Sequence, residues 1–279
     1  MRFANNMNID QQTIRDFGEQ WTTYQDSEGF FGSLALLADF IAPFPIERFR
    51  NARVADIGAG TGRFVVSLLE AGASHVVAVE PSASAEVVQR KVNDVGRNDR
   101  LTVLNIRGDE LPPDLALDYA ISVGVLHHIM QPEHVVAAVH AALKPGGKFV
   151  IWLYGREGNA LYLALALPLR LLSKHLPRQG KAFLAHLLNR PLSAYIAICR
   201  RSRSDRLPLR RYMTDILGKL DPAQRHLVIY DQLNPHYAKY YTGDQARRLM
   251  ESAPFEVDLH HRKGYSWVVI GTKPVQAAP

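Results

Sequence analysis

The sequence predicts an α/β domain on a doubly wound sheet of seven strands, with a helical cap inserted after the fifth strand. Three observations carry this prediction. Between Asn51 and Leu153, short runs rich in Val and Ile alternate with longer amphipathic stretches, the pattern of βαβ units around a parallel sheet. The first of these runs ends in a turn with Gly58, Gly60 and Gly62 that opens into a helix. The alternation breaks at Gly155 and resumes after residue 241 as a helix followed by two strand-like runs.

Taken in order, Phe17, Trp21 and Tyr24 recur at helical spacing and are followed by FFGSLALLADFI, so residues 1–50 read as a helical segment. Strands are predicted at Val54–Ile57, His75–Glu80, Leu101–Ile106, Leu117–Val123 and Lys148–Leu153. Between them, Arg63–Ala71, Ala83–Val95 and Glu133–Leu143 have helical periodicity, the last entered through Pro132 and ended by Lys144-Pro145-Gly146-Gly147. Residues 156–241 differ in composition, with LYLALALPLRLLSKHL and GKAFLAHLL leading into the cluster Arg200, Arg201, Arg203, Arg206, Arg210 and Arg211. Thr242-Gly243-Asp244 then reads as a helix N-terminus, and Phe255–Leu259 and Ser266–Thr272 as the last strands. The expected organisation is an N-terminal helical segment over 1–50, one α/β domain from 51–155 and 242–279, and a cap over 156–241.

A chain of 279 residues, 47% hydrophobic and 22% charged, is long enough for one or two globular domains and too apolar for a disordered one. One cysteine, Cys199, excludes an intramolecular disulfide and a thiolate metal cluster, which points to the cytoplasm. The first dozen residues have no apolar core of a signal peptide. The longest stretch without Asp, Glu, Lys or Arg, Tyr119–Pro132, is shorter than the roughly 20 residues of a membrane span. The net charge of +6 is uneven: Asn159–Lys219 holds twelve Lys or Arg against Asp205 and Asp215. Such a segment is either a solvated helical face or a contact for phosphate, RNA or an anionic membrane.

The glycine turn alone fits two nucleotide ligands. A dinucleotide site wants a third glycine where this chain has Arg63, whereas the spacing here is G-x-G-x-G with Asp56 two residues before the first glycine. The string VADIGAGTGRF resembles the first motif of the class I S-adenosylmethionine-dependent methyltransferases. That resemblance runs from Asn51 to Leu153 through VVAVEPS, the loop Gly108-Asp109-Glu110-Leu111-Pro112, DYAISVGVLHHI and LKPGG. It implies a Rossmann-like methyltransferase fold with S-adenosylmethionine as cofactor and no metal. The motif positions are Asp56, Gly58, Ala59, Gly60, Thr61 and Gly62 around the methionine part, Glu80 and Pro81 at the ribose, and Gly108, Asp109 and Glu110 at the adenine. Val123 closes the set at the end of the fourth strand, and Tyr24 belongs to an N-terminal segment that family members often use as a lid. A plain amphipathic helix over the sheet has the same sequence.

His127 and His128, just beyond the fourth strand, are the candidates for a catalytic base, His127 first. The pattern G-V-L-H-H resembles G-x-x-E-H of the cyclopropane-forming and mycolic-acid enzymes, from which only the location transfers. Some quinone-ring O-methyltransferases bind metal there through E-x-x-E-H. Gly124 and His127 occupy the two glutamate positions here. The other reading of the pair is one packed ring and one solvated ring. SVGV at 122–125 lacks the Asn/Asp-Pro-Pro-aromatic motif of exocyclic base-nitrogen methyltransferases, so nucleic acid is not the expected acceptor. His236, Tyr237, Tyr240 and Tyr241 form either a wall of the acceptor pocket or a small core. The basic apolar segment 161–181 fits a cap packed on the sheet, an anionic membrane surface or a homodimer interface.

The function expected from the resemblance is methyl transfer to a small molecule, first an oxygen of a sugar, a polyketide or another secondary metabolite. A lipid-linked or quinone acceptor at a membrane surface is the alternative, in which case the cytoplasmic protein is membrane-peripheral. Three rivals stay open: an inactive adenosylmethionine-binding regulatory subunit, an RNA-binding methyltransferase, and a nicotinamide dehydrogenase, the last disfavoured by Arg63.

Overall fold

The structure is a computed structural model and describes residues 2–25, 29–173, 175–202, 207–234 and 237–275, with side chains from residue 9 onward. It opens with α1 (Arg2–Thr23) and α2 (Leu34–Ile41), the latter capped by the Ser33 hydroxyl on the Leu36 N–H. The α/β core follows as β1 (Arg53–Ile57), α3 (Arg63–Glu70), β2 (His75–Val79), α4 (Ala85–Asp94), β3 (Leu101–Leu104), β4 (Leu117–Val123), α5 (Pro132–Ala142) and β5 (Leu143–Tyr154). The cap contributes α6 (Ala160–Ser173), α7 (Arg178–Arg201), α8 (Arg210–Asp215) and α9 (Pro222–Leu233). The chain returns through α10 (Gly243–Met250), β6 (Glu256–Arg262) and β7 (Ser266–Thr272).

The seven strands form one sheet in the order β3-β2-β1-β4-β5-β7-β6, parallel from β1 to β5, with β7 antiparallel to both β5 and β6. Strand order reverses between β1 and β4, so the carboxyl ends of these two strands diverge into a crevice, the position where open α/β sheets bind ligands. The sheet is buried on both faces. Leu37, Phe49, Phe64, Leu68 and Val88 pack on one side, and Val135, Val139, Phe149, Leu249 and Phe255 on the other. This two-sided burial is why the central strands are continuous Val and Ile runs rather than alternating ones.

Several boundaries differ from the sequence prediction, among them the third strand, which ends at Leu104 rather than Ile106. The predicted second strand ends one residue later than β2, although the Glu80 N–H still donates to the Leu104 carbonyl of β3 at 3.1 Å. Lys144-Pro145-Gly146-Gly147 ends α5 as expected but belongs to β5. Leu117 pairs with Leu143 and Tyr119 with Lys148, so this segment bulges from the ladder, and Gly146 and Gly147 exchange backbone hydrogen bonds with Lys273. β6 extends to Arg262, because its whole length pairs with β7.

The ends of the cap meet at the edge of the core: Gly155 bridges Tyr241, whose N–H donates to the Tyr154 carbonyl at 2.8 Å, while the Arg156 N–H donates to the Tyr241 carbonyl at 2.8 Å. Thr242 then caps α10, accepting from the Gln245 N–H. The C-terminus of α5 is closed from a distance, the Lys273 ammonium donating to the carbonyls of His140 and Leu143 at 2.8 and 2.7 Å. Lys273→Met removes this cation and leaves those carbonyls to water. Thermal unfolding is expected to show a loss of about 1–2 kcal/mol, and an unchanged Tm would show that the contact contributes nothing.

Candidate functional site

The site lies in the crevice at the carboxyl ends of β1, β2 and β4. Gly58, Gly60 and Gly62 all have positive φ, at 81°, 55° and 76°. The chain needs glycine at the first and third for a second reason. A Cβ on Gly58 would stand 2.5 Å from a Val125 methyl, and one on Gly62 3.1 Å from the Val88 Cα on α4. The turn therefore sits tight between the β4 exit and α4, and its backbone faces the cavity. It is tied to β2 by the Gly58 and Ala59 N–H groups, which donate to the Val79 carbonyl at 2.8 and 3.1 Å.

Glu80 joins this turn to the next one. Its Oε2 accepts from the Gly60 N–H at 2.8 Å, and its Oε1 accepts from the Ser82 N–H at 3.0 Å and the Ser82 hydroxyl at 2.6 Å. Asn105, at the end of β3, donates to the carbonyls of Glu80 and Ser82, a fastening that the sequence reading missed. On the far wall Asp109 is held by both nitrogens of a bidentate Arg107, at 2.9 and 2.8 Å. Ala59, Thr61, Pro81, Gly108 and Val123 complete this part of the cavity wall. Asp56 and Gly62 lie behind the turn rather than on the wall, and the Glu110 carboxylate is spent on capping the Arg107 N–H. Burial pushes Asp56 up to about 7, and its Oδ2 has no hydrogen-bond partner.

α1 closes the crevice from above. A Cβ on Gly18 would stand 2.7 Å from the Ser82 Cβ, so α1 crosses the β2–α4 loop at nearly backbone contact, and Trp21 reaches over Gly60. Tyr24 misses the cavity and packs against Tyr230 of α9, with ring centroids 5.8 Å apart. The reason is helical geometry: Phe17 and Trp21 share the face turned to the cavity, and α1 ends at Thr23 before Tyr24 can join it.

The histidine pair fits neither reading as stated: both rings are buried, so neither is solvated, and His128 rather than the first choice His127 reaches the cavity wall. His127 is fully buried and stacks on Tyr154 at 3.8 Å; neither ring nitrogen has a partner, and it is not on the cavity wall. Burial holds its pKa well below the ordinary value. His128 reaches the wall. Its Nδ1–H donates to the Tyr237 carbonyl at 2.8 Å, which leaves Nε2 as the lone-pair nitrogen, and burial lowers its pKa to about 3. Of the aromatic cluster, Tyr237 serves through its backbone, Tyr240 stacks behind Tyr154 at 5.3 Å, and Tyr241 is buried in the main core. None of these three rings faces the cavity, and His236 lies outside the described residues.

Away from the glycine turn, the cavity wall includes the polar residues Asp231 and Gln232 of α9. Asp231 accepts from the Gln20 side chain of α1 at 3.0 Å, and burial raises its pKa while Arg63 lowers it. Gln232 donates to the Tyr154 hydroxyl at 2.6 Å and accepts from the Tyr162 hydroxyl at 2.8 Å. Arg63 opens α3 with its guanidinium over the Phe31 ring at 4.2 Å. Asp231 and Gln232 carry no motif, and only their burial on an otherwise apolar helix face could have drawn attention to them.

Two outcomes follow from this geometry. Asp56 keeps its proton in the folded chain up to about pH 7, whereas the unfolded carboxyl releases it near 3.8. The stability it contributes is therefore full below about pH 4 and falls as pH rises towards 7. Asp56→Asn should flatten that part of the stability profile in denaturant titrations, and an unaltered profile would show that this carboxyl does not titrate abnormally. Gly18→Leu should push α1 off the Ser82 loop and weaken nucleoside binding by about tenfold or more, measured by calorimetry, with circular dichroism unchanged.

A family model described as a methyltransferase domain matches residues 55–149. The tRNA U34 carboxymethyltransferase of Shewanella sp. (strain ANA-3) is 33% identical over 117 residues, which are 40% of this chain and 34% of the relative. The chain thus spans about a third of the length of the curated relatives it matches. Among solved structures, an O-methyltransferase family protein from Burkholderia thailandensis superposes with a TM-score of 0.54 at 11% identity, over 87% of this chain and 57% of that one. The 1,6-didemethyltoxoflavin-N1-methyltransferase of the same organism, solved with 1,6-didemethyltoxoflavin and S-adenosylhomocysteine, gives 0.52 at 16% identity over 96% and 90%. These likenesses show the fold. With the matched segment running from β1 into β5 and the glycine turn at the strand-order reversal, residues 55–149 form a methyltransferase domain on the Rossmann-like methyltransferase fold, and the cofactor is S-adenosylmethionine.

Proposed function

We propose that this chain transfers a methyl group from S-adenosylmethionine to a small-molecule acceptor with an ionisable hydrogen, a hydroxyl first, held against α9. The observation that carries the reading is a cavity running from the glycine turn to Asp231 and Gln232, closed over by α1 and the cap. Its walls fit the cofactor. The turn offers a glycine cradle with exposed backbone, and Glu80 Oε2 keeps an unused lone pair beside the one taken by Gly60. Glu80 would take the ribose hydroxyls, Asp109 and Gly108 the adenine side, and the turn the methionine part.

When bound, S-adenosylmethionine would supply a methyl group activated by its positively charged sulfur. The chain's own work is alignment, exclusion of water and acceptance of one proton. Phe17, Trp21 and Trp152 keep the cavity apolar around the reacting centre. Asp231 takes the acceptor's proton: its raised pKa makes it a better base than an ordinary carboxylate, and Gln20 holds one of its oxygens in place. His128 is a weaker base, because burial makes its charged form costly, and its role is to accept a hydrogen bond through Nε2. His127 supports Tyr154 by stacking.

The relatives' tRNA substrate is a second reading, favoured by their name and by the arginine-rich segment. Two of those arginines are engaged inside the fold: Arg200 donates to the Gly218 carbonyl and Arg210 to the Ser202 carbonyl at 2.8 Å. The family model also ends at residue 149, before the cap that closes the cavity. A small acceptor accounts better for a polar pocket deep beneath two helical layers.

Transfer of labelled methyl from S-adenosylmethionine can be measured against phenols, sugars and transcribed tRNA. Label in a small hydroxylated acceptor is expected, and label in tRNA alone would overturn the reading. Glu80→Ala should weaken adenosylhomocysteine binding by about tenfold or more. Asp231→Asn should leave that affinity intact and lower kcat by about a hundredfold.

A further inference from the structure

Eleven large apolar side chains stand exposed among the described residues, and nine of them lie between Leu161 and Ile198. They are ordered by the helices that carry them. On α7 the exposed positions Phe183, Leu187, Pro191, Ala194 and Ile198 recur at helical spacing, and on α6 Leu161, Leu165, Pro168 and Leu172 do the same. Leu165, Leu172 and Phe183 are 69%, 71% and 69% exposed. The inner sides of both helices enter one small core with α9, where Leu169 and Ala185 meet Tyr230 and Leu233. The outer sides have no partner within the described residues. A continuous apolar surface of this kind marks a binding face.

Charge selects the occupant. Residues 158–204 hold eight Lys or Arg and no Asp or Glu. Arg170 and Lys181 are buried, Arg178 pairs with Glu19 and Arg200 donates to the Gly218 carbonyl, which leaves Arg190 and Arg201 as the cations the outer face offers among the described side chains. Arg190 and Arg201 are exposed on α7 beside the apolar stripe. A second copy of the chain would meet this face with the same face in a two-fold dimer, setting cations against cations with no acid to offset them. A bilayer with anionic headgroups meets both requirements, taking Leu and Phe among the acyl chains and Arg among the phosphates. By length and composition α7 could also cross a membrane. Its inner face, with Ala185, Ile196 and Cys199, is however packed against the rest of the cap, so it can offer lipid one side only.

We propose that the outer faces of α6 and α7 form a docking surface for an anionic lipid bilayer, on which both helices lie flat. The surface is independent of the chemistry in the cavity, but it is mechanically close to it. α9 lies directly beneath, and the Tyr162 hydroxyl of α6 bonds Gln232 on the cavity wall. Docking therefore sets the acceptor end of the cavity one helical layer from the lipid.

The test is co-sedimentation of the full chain with vesicles of phosphatidylcholine alone and of phosphatidylcholine mixed with phosphatidylglycerol. Binding is expected only to the second, weakening as salt is raised. Leu165→Asp with Leu172→Asp, Phe183→Asp with Ile198→Asp, and Arg190→Glu with Arg201→Glu should each reduce it by more than about fivefold. These positions are exposed, so thermal unfolding and adenosylhomocysteine affinity should stay at wild-type values and certify folded variants. Failure to bind the mixed vesicles, or binding that survives all three double variants, overturns the proposal. So does a wild-type dimer in light scattering that the aspartate variants dissociate, since the face would then belong to a second copy.

Discussion

The carboxylate of Glu80 receives one N–H from the glycine turn after β1 and two hydrogen bonds from Ser82 after β2, so a single side chain sets the distance between two loops. Those loops leave the sheet at neighbouring strands next to the strand-order reversal. The shape of the crevice depends on that spacing. The positive φ of the glycines lets the turn approach, Val79 anchors it from beneath, and Asn105 clamps the second loop from β3. A charged group is suited to this because hydrogen bonds to an ionised acceptor are stronger than neutral ones.

Above this floor, the cavity owes its closure to a polar seam between α1 and α9. Gln20 donates to Asp231 and accepts from the Asn234 side chain, which also donates to the Asp16 carbonyl. Buried amides of this kind are costly unless satisfied, so the two helices have one favourable register rather than a family of sliding ones. That register brings Asp231 to the acceptor end, and Gly18 permits it by allowing α1 to lie almost on Ser82. The apolar packing of the cap supplies the adhesion, while the polar seam supplies the position.

The cap also divides its surface unequally. Its inner residues are committed to α9 and to the small core around Ile196, Met213 and Leu227, whereas the leucines outside remain in contact with solvent in the isolated chain. A helix pair that needed only to close a pocket could carry polar residues there at no loss of packing. The combination of unburied leucines with a total lack of acids is therefore a property of the surface and not of the fold.

The chain's sequence by itself determined the order and type of the core elements, because burial on both faces forces Val and Ile runs and because a glycine turn at helix entry has few alternatives. The resemblance also singled out Glu80, just after β2, and Asp109, in the loop after β3, and both line the cavity. Tertiary structure decided which of two adjacent histidines reaches the cavity: the turn after β4 rotates His127 into the core against Tyr154 and leaves His128 at the wall. It decided too that Tyr24, Tyr240 and Tyr241 pack behind the site while Asp231, more than a hundred and seventy residues from the glycine turn, enters it. Spacing in a sequence reports on the face of one element. Which face of a distant helix meets the site depends on how two helices lock together, and no local pattern carries that information.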